Sequence, residues 1–279
     1  MSTEGKIVFV PTPIGNLGDI SERAKDALLS CEVVYCEDTR VTGKLLSLLN
    51  IKSQLVRMDE NTIDSRVAEL IDRVGSGETV CYCSDAGMPG ISDPGSRIVA
   101  AAREANLTVE VLPGANACLT ALVASGFDTT EFYFAGFLPK KKSQKKEKLE
   151  NHLSINCPTV IYESPNRIID TLECLPKTRR VCVARELTKI HEEVLVASVQ
   201  ELLDELKSRG CIKGEIVLVV DVASTDEVCA ENDKRINRAK AYVALSRARN
   251  MSATDIKKDL INFFDVPKNL AFELANYRS

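Results

Sequence analysis

A short apolar run, Thr79-Val80-Cys81-Tyr82-Cys83, leads straight into Ser84-Asp85-Ala86-Gly87-Met88-Pro89-Gly90-Ile91-Ser92-Asp93-Pro94-Gly95. A helix-like stretch from Arg97 to Ala105 follows. Three glycines, two prolines and two aspartates within twelve residues make a shaped loop rather than a loose one. A strand, a shaped loop and a helix in that order predict an open α/β sheet, with a ligand crevice at the strand ends. Two further loops sit the same way after short strands: Pro11-Thr12-Pro13-Ile14-Gly15-Asn16 and Pro113-Gly114-Ala115-Asn116. Ordinary βα connections are also punctuated by Gly and Pro, so the chemistry must come from the residues within the loops.

The first half alternates strand and helix. Strands are expected at Lys6–Val10, Val33–Cys36, Val80–Cys83 and Thr108–Leu112, and helices from Asp19 or Ser21 to Leu29, from Thr39 to Leu49 and from Asn61 to Val74. Leu45, Leu46, Leu48 and Leu49 give the second helix an apolar face, and Ile63, Val67, Leu70, Ile71 and Val74 do so for the third. Short apolar strands separated by helices indicate a mainly parallel sheet covered on both faces. A second unit begins near Gly114. It has a short apolar helix over 116–124, a strand Phe132–Ala135, and Gly136-Phe137-Leu138-Pro139 as the turn out of it. Strands at 159–162, 180–184, 193–198 and 215–222 and helices at 168–175 and 199–209 complete this unit. Thr188-Lys189-Ile190-His191 is too short for a helical crossover, which favours antiparallel pairing there. The division expected is 1–113 and 114–223 as two α/β domains, 224–234 as a polar linker, and 235–279 as a basic helical tail. In that tail Ser252 is a poor cap for the middle helix and Thr254 a fair alternative.

Composition excludes some classes. The 279 residues are 44% hydrophobic, with ten cysteines and no arrangement of them at zinc spacing. No apolar run approaches a membrane span and the first residues do not read as a leader, so a cytoplasmic protein without a membrane or metal partner is expected. The net charge of −4 is uneven. Residues 234–279 carry ten Lys/Arg against four Asp/Glu, a net of +6, which leaves −10 on the rest. A second basic run is Lys140-Lys141-Lys142-Ser143-Gln144-Lys145-Lys146-Glu147-Lys148. An acidic body with basic patches is compatible with a locally docked polyanion, although a lysine run alone is equally a solvated loop.

The first loop lacks GxGxxG and GxxxxGK, which argues against a dinucleotide or P-loop site. Its prolines remove the N–H groups that a pyrophosphate needs. A neutral or cationic ligand suits it better, and S-adenosylmethionine fits. Glu37, Asp38 and Arg40 cluster at the second strand end, where a carboxylate is equally an ordinary helix cap. His152 and His191 stand apart from any ligand partner.

Seven blocks in order resemble the ribosomal RNA small subunit methyltransferase I family, within the tetrapyrrole methylase-like class, over essentially the whole chain. They are Val10–Ile20, Glu37–Arg40, Ser84–Gly95, Leu112–Ala117, Phe137–Pro139, Tyr162–Arg167 and Arg185–Lys189. The resemblance implies two α/β domains with S-adenosylmethionine between them, a homodimer, and 2'-O-methylation of a cytidine in the decoding region of 16S ribosomal RNA within the small subunit. It assigns the cofactor to Pro11, Pro13, Gly15, Asp85, Ala86, Gly87, Met88, Pro113, Gly114, Asn116, Gly214, Glu215 and Ile216. Candidates to accept the ribose proton are Glu163, Glu37 and Asp38, in that order. Candidates for RNA are Arg40, Lys140, Lys141, Lys142, Lys145, Lys146, Asn166, Arg167, Arg185 and Lys189, with no aromatic stacking platform expected. Family members often carry histidine where this chain has Asn166, which removes a proton-transfer role there. The alternatives are a methyltransferase acting on a small tetrapyrrole precursor, and a ribosome-binding protein without turnover.

Overall fold

The computed structural model describes residues 5–276. The chain forms two compact units that divide between Asp221 and Val222. The first begins with five strands and four helices: β1 (Lys6–Phe9), α1 (Glu22–Ser30), β2 (Val33–Cys36), α2 (Thr39–Leu48), β3 (Gln54–Arg57), α3 (Ile63–Gly75), β4 (Val80–Cys83), α4 (Gly95–Glu104) and β5 (Thr108–Val111). These strands make one parallel sheet in the order β3-β2-β4-β1-β5. Strand alternation sorts its core. Ile7, Phe9, Tyr35, Val80 and Tyr82 pack on α3 and α4, while Val8, Val34, Cys81 and Cys83 pack on α1 and α2. Four-residue strands with no exposed face need apolar residues at every position, which β2 and β4 supply. Of the two caps open in the sequence, Ser21 accepts from the Ala24 N–H and starts α1.

The same unit continues with α5 (Ala117–Ser125), β6 (Tyr133–Phe137), α6 (Lys142–Leu153), β7 (Thr159–Glu163), α7 (Ile168–Leu172), β8 (Arg180–Arg185), β9 (Glu193–Ser198), α8 (Val199–Ser208) and β10 (Ile216–Val220). The second sheet runs β6-β7-β10-β8-β9, with β6·β7 parallel and the other pairs antiparallel. The antiparallel β8–β9 hairpin is the one that the short connection called for. One face of this sheet packs on α7 and α8, and the other holds α5 and Ile14 from the first loop.

Several expectations give way. β3 has no strand signature in the sequence: its exposures run exposed, intermediate, buried, exposed, as befits an edge strand without an apolar run. Residues 136 and 137 belong to β6 rather than to a turn, since a register shift between Phe134 and Gly136 lets the strand continue. From Lys142 onward the lysine run is helix α6. Lysine is a good helix former, and Lys145, Leu149 and His152 fall at helical spacing on its buried face.

The second unit holds α9 (Thr225–Ala248), α10 (Ala253–Phe264) and α11 (Lys268–Asn276). Ala239, Val243, Ile256, Leu260 and Val266 form its own core. The 224–234 segment, expected as a linker, is the start of α9. Ser224 and Glu227 form a reciprocal capping box, and a polar composition is no obstacle to an exposed helix so capped. Ser252 does cap α10, accepting from the Asp255 N–H, and Thr254 lies inside the helix.

Candidate active site

The shaped loops converge on one cleft of about 360 Å³ in the first unit, a volume that suits a cofactor-sized ligand. The ends of β2 and β4 form one wall. The ends of β7 and β10, with Phe137, form the other. Asp93 gives the 84–95 loop its shape. Its carboxylate accepts from the Gly90 N–H (2.7 Å), the Gly95 N–H (2.7 Å) and the Tyr82 hydroxyl (3.2 Å). Gly87 and Gly90 take positive φ angles of 81° and 92°, and Ser92 does so at 65° without being glycine. The first loop is stitched to this one by paired Thr12 and Gly87 backbone bonds of 3.0 Å.

Reciprocal bonds tie β2 to β4. The Asp85 N–H donates to Glu37 Oε1 (3.0 Å), and the Asp38 N–H donates to Asp85 Oδ1 (3.0 Å). Burial raises the Glu37 carboxyl above its ordinary value, and burial does the same for Asp85. Both line the cleft. Asp38 differs. It caps α2 and pairs with Arg40, whose guanidinium holds it well below the usual carboxylate range. It is not among the cleft-lining residues.

Glu163 ends β7 with no side-chain exposure. Its Oε2 accepts from the Thr171 hydroxyl (2.6 Å), and Oε1 accepts from the Ser164 N–H (2.9 Å) beside Arg167 Nε (3.3 Å). The buried Lys145 ammonium donates to Thr171 Oγ1 (3.0 Å). Arg167 Nη2 donates to the carbonyls of Leu138 (2.8 Å) and Pro139 (3.0 Å). This chain of charges braces the 137–139 segment against the 163–167 loop.

Of the expected cofactor residues, Asp85, Ala86, Gly87, Met88, Asn116, Gly214, Glu215 and Ile216 line the cleft. Pro11, Pro13, Gly15, Pro113 and Gly114 do not. Pro11, Gly15 and Gly114 set loop-on-loop packing: a Cβ on Gly114 would sit 2.5 Å from the Pro11 ring, and one on Gly15 would sit 2.4 Å from the Lys189 side chain. The expected RNA residues also separate. Lys140, Lys141, Lys142, Lys146 and Asn166 are exposed, as is Arg40. Lys145 is buried on Thr171 and faces no solvent, because α6 turns it inward. Arg167 is taken up by carbonyls, Arg185 by Glu193, and Lys189 by Glu186 and Glu215. Sequence reasoning passed over Ile91, Phe137 and Tyr162, which also line the cleft. The Phe137-Leu138-Pro139 block was the available signal for Phe137.

Among the described residues, five charged ones line the cleft, Glu37, Asp85, Asp93, Glu163 and Glu215, and all are acidic. An apolar, acidic lining without Lys or Arg suits a cationic ligand and opposes a polyphosphate. Among the described residues there is no His, Cys, Asp and Glu group able to hold a metal, and no helix is long and apolar enough to cross a membrane.

Two α/β layers with a crevice at their strand ends define the class: the model for the tetrapyrrole (corrin/porphyrin) methylases matches residues 6–203. The solved structure of a diphthine synthase shares the fold, with a TM-score of 0.61 and 16% identity over 78% of this chain and 90% of that one. Sequence relatives are nearer. The ribosomal RNA small subunit methyltransferase I of Halalkalibacterium halodurans is 38% identical over 94% of this chain and 95% of its own length. That of Hydrogenobaculum sp. is 42% identical over 79% of this chain and 97% of its own. The chain belongs to the tetrapyrrole methylase family and, within it, to the ribosomal RNA small subunit methyltransferase I branch.

Proposed function

We propose that this chain transfers a methyl group from S-adenosylmethionine to the 2'-oxygen of a cytidine in the decoding region of 16S ribosomal RNA. The observation that carries the reading is the cleft itself: a lining whose charged residues are all acidic, made by the family's loops, with exposed lysines beginning three residues after its Phe137. Asp85, Met88, Asn116 and Ile216 would hold the cofactor, which supplies a methyl group on a positively charged sulfur. The acidic walls favour that charge, and Ile14, Leu187 and Val217 offer apolar surface to the rest of the molecule.

A ribose hydroxyl is a weak nucleophile, so alignment and proton removal set the rate. Glu37 is the group that we assign to accept the proton. It lines the cleft, its Oε1 is steadied by the Asp85 N–H, and burial raises its proton affinity. Asp38 is too weak a base beside Arg40. Glu163 already has hydrogen bonds to both oxygens, and we assign it to holding the 137–139 and 163–167 segments. Lys140, Lys141, Lys142 and Lys146 take phosphates, which position the RNA without reading its sequence. The reading carries with it a cytoplasmic location and a homodimer. Exposed Val111 on β5 and Leu119 and Val123 on α5 support the latter.

The test is methyl transfer from labelled cofactor to small ribosomal subunits lacking the modification, followed by nucleoside mass analysis. The expected product is labelled 2'-O-methylcytidine in the decoding region. No incorporation by folded, cofactor-binding protein would overturn the reading in favour of a small acceptor such as a tetrapyrrole precursor.

A further inference from the structure

Phe137 is the last residue of β6, and 57% of it is exposed while it lines the cleft. A phenylalanine left in water at the edge of a cavity forgoes stabilisation that burial would give it. Its backbone is nonetheless held firmly. Gly136, at φ +61°, lets β6 continue past its register shift, Lys148 Nζ reaches the carbonyls of Ala135 (3.3 Å) and Phe137 (3.5 Å), and Arg167 holds the next two carbonyls. The ring stands edge-on to Tyr162 with centroids 5.6 Å apart, which fixes its tilt and leaves surface exposed. From the other wall, Ile91 lines the same cleft and is 42% exposed. Lys140 follows three residues later, a chain reach of at most about 11 Å, and the exposed lysines of α6 come after it.

A rigid, exposed aromatic between an acidic cavity and a basic helix matches what a single unstacked nucleotide requires: a flat face for its base and cations for its flanking phosphates. We infer that Phe137 is a base-stacking residue that receives the nucleobase of the target nucleotide once it leaves the RNA stack, with Ile91 as the opposing apolar wall. The inference rests on the ribosomal RNA reading and specifies the site that delivers the ribose to the cleft. It also replaces the expectation that the chain lacks a stacking platform.

The chain contains no tryptophan, so F137W places one fluorophore at this position. F137L should lower kcat/KM on small subunits lacking the modification on the order of 10- to 100-fold, the range of a lost base–aromatic stack. Its affinity for S-adenosylmethionine and the salt dependence of its RNA binding should stay within twofold of the parent. F137W should restore most of the lost transfer, and its emission should be quenched by those subunits and not by the cofactor alone. Full-rate transfer by F137L would overturn the inference, and so would a loss of cofactor affinity equal to the loss in kcat/KM. Both are read against an active parent chain. Failure of the parent to methylate small subunits would instead remove the RNA reading, and the stacking residue with it.

Discussion

Two walls of one cleft each end in a glutamate, and the two glutamates are set up in opposite ways. Glu37, on the parallel sheet, accepts one backbone N–H at Oε1 and faces the cavity with its proton affinity raised by burial. Glu163, on the mixed sheet, is fully enclosed, with Thr171, Ser164 and Arg167 around its oxygens. Both sit at the ends of short strands, Glu37 just after β2 and Glu163 as the last residue of β7, and both lie in polar blocks of sequence. A strand-end carboxylate therefore becomes a proton acceptor only if the fold leaves it an unused lone pair facing the substrate. Arg167 beside one oxygen, and Lys145 behind the Thr171 hydroxyl on the other, are why we assign Glu163 to bracing rather than to proton transfer.

The largest effect separating the two walls belongs to Glu37. E37Q keeps an oxygen for the Asp85 N–H and loses the basic site. The expected result is a fall in kcat of about 10²- to 10⁴-fold with cofactor binding retained. In the parent chain the rate should fall on acidification at a pH above the ordinary glutamate value of 4.5, because a raised carboxyl takes up its proton sooner. E37Q should lack that acidic limb. Linkage gives a second readout with the same sign. The folded state holds the Glu37 proton more tightly than the unfolded chain does, so burying this group costs stability above the raised value and not below the ordinary one. E37Q should accordingly melt higher than the parent at pH 7, with the gain vanishing at low pH. Unchanged transfer by E37Q would erase the contrast between the walls.

Glu163 comes next, and its effect should be on folding. E163Q leaves the Lys145 ammonium buried, and Arg167 largely so, without their anion. Removing one member of a buried charge group costs about 3–5 kcal/mol, and the partial exposure of Arg167 puts the expectation at ~3 kcal/mol. Denaturant titration would show the lower midpoint. At a temperature where the variant remains folded, the acidic limb of its rate profile should match the parent's. A stable E163Q that has lost both turnover and that limb would transfer the proton-accepting role to Glu163.

The same contrast explains how far the sequence could be read. Strand ends were legible because glycine, proline and aspartate mark them, and Ser84–Gly95 lies where its composition put it. The central strands of both sheets were legible through runs such as Val33–Cys36 and Ile216–Val220, since strands buried on both faces are apolar almost throughout. Invisible were the properties that arise only when distant segments meet. Nothing adjacent to Glu163 in sequence announces Lys145 or Thr171, and nothing near Lys145 announces that α6 points it inward. β3 and the start of α9 were missed for a related reason: an edge strand and an exposed capped helix carry little apolar signal.

The lysine run supplies the smallest effect and the sharpest internal control. Lys141, Lys142 and Lys146 are exposed, and Lys145, in the midst of them, is buried against Thr171. A phosphate contact on single-stranded RNA releases counterions and contributes about 0.7 to the slope of log affinity against log salt. Replacing Lys141, Lys142 and Lys146 with alanine should flatten that slope by about 2 and weaken different RNAs alike, since phosphate contacts carry no sequence information. K145M should leave the slope unchanged and lower stability, because it removes the cation that faces Glu163 through Thr171. The same lysine run thus divides between the two walls' logics, one part answering to solvent and RNA, the other to the buried carboxylate. A slope change with K145M comparable to that of a single exposed lysine would mean that Lys145 swings outward when RNA binds. Glu163 would then be freed as RNA arrives, and the difference between the two glutamates would be a property of the free protein alone.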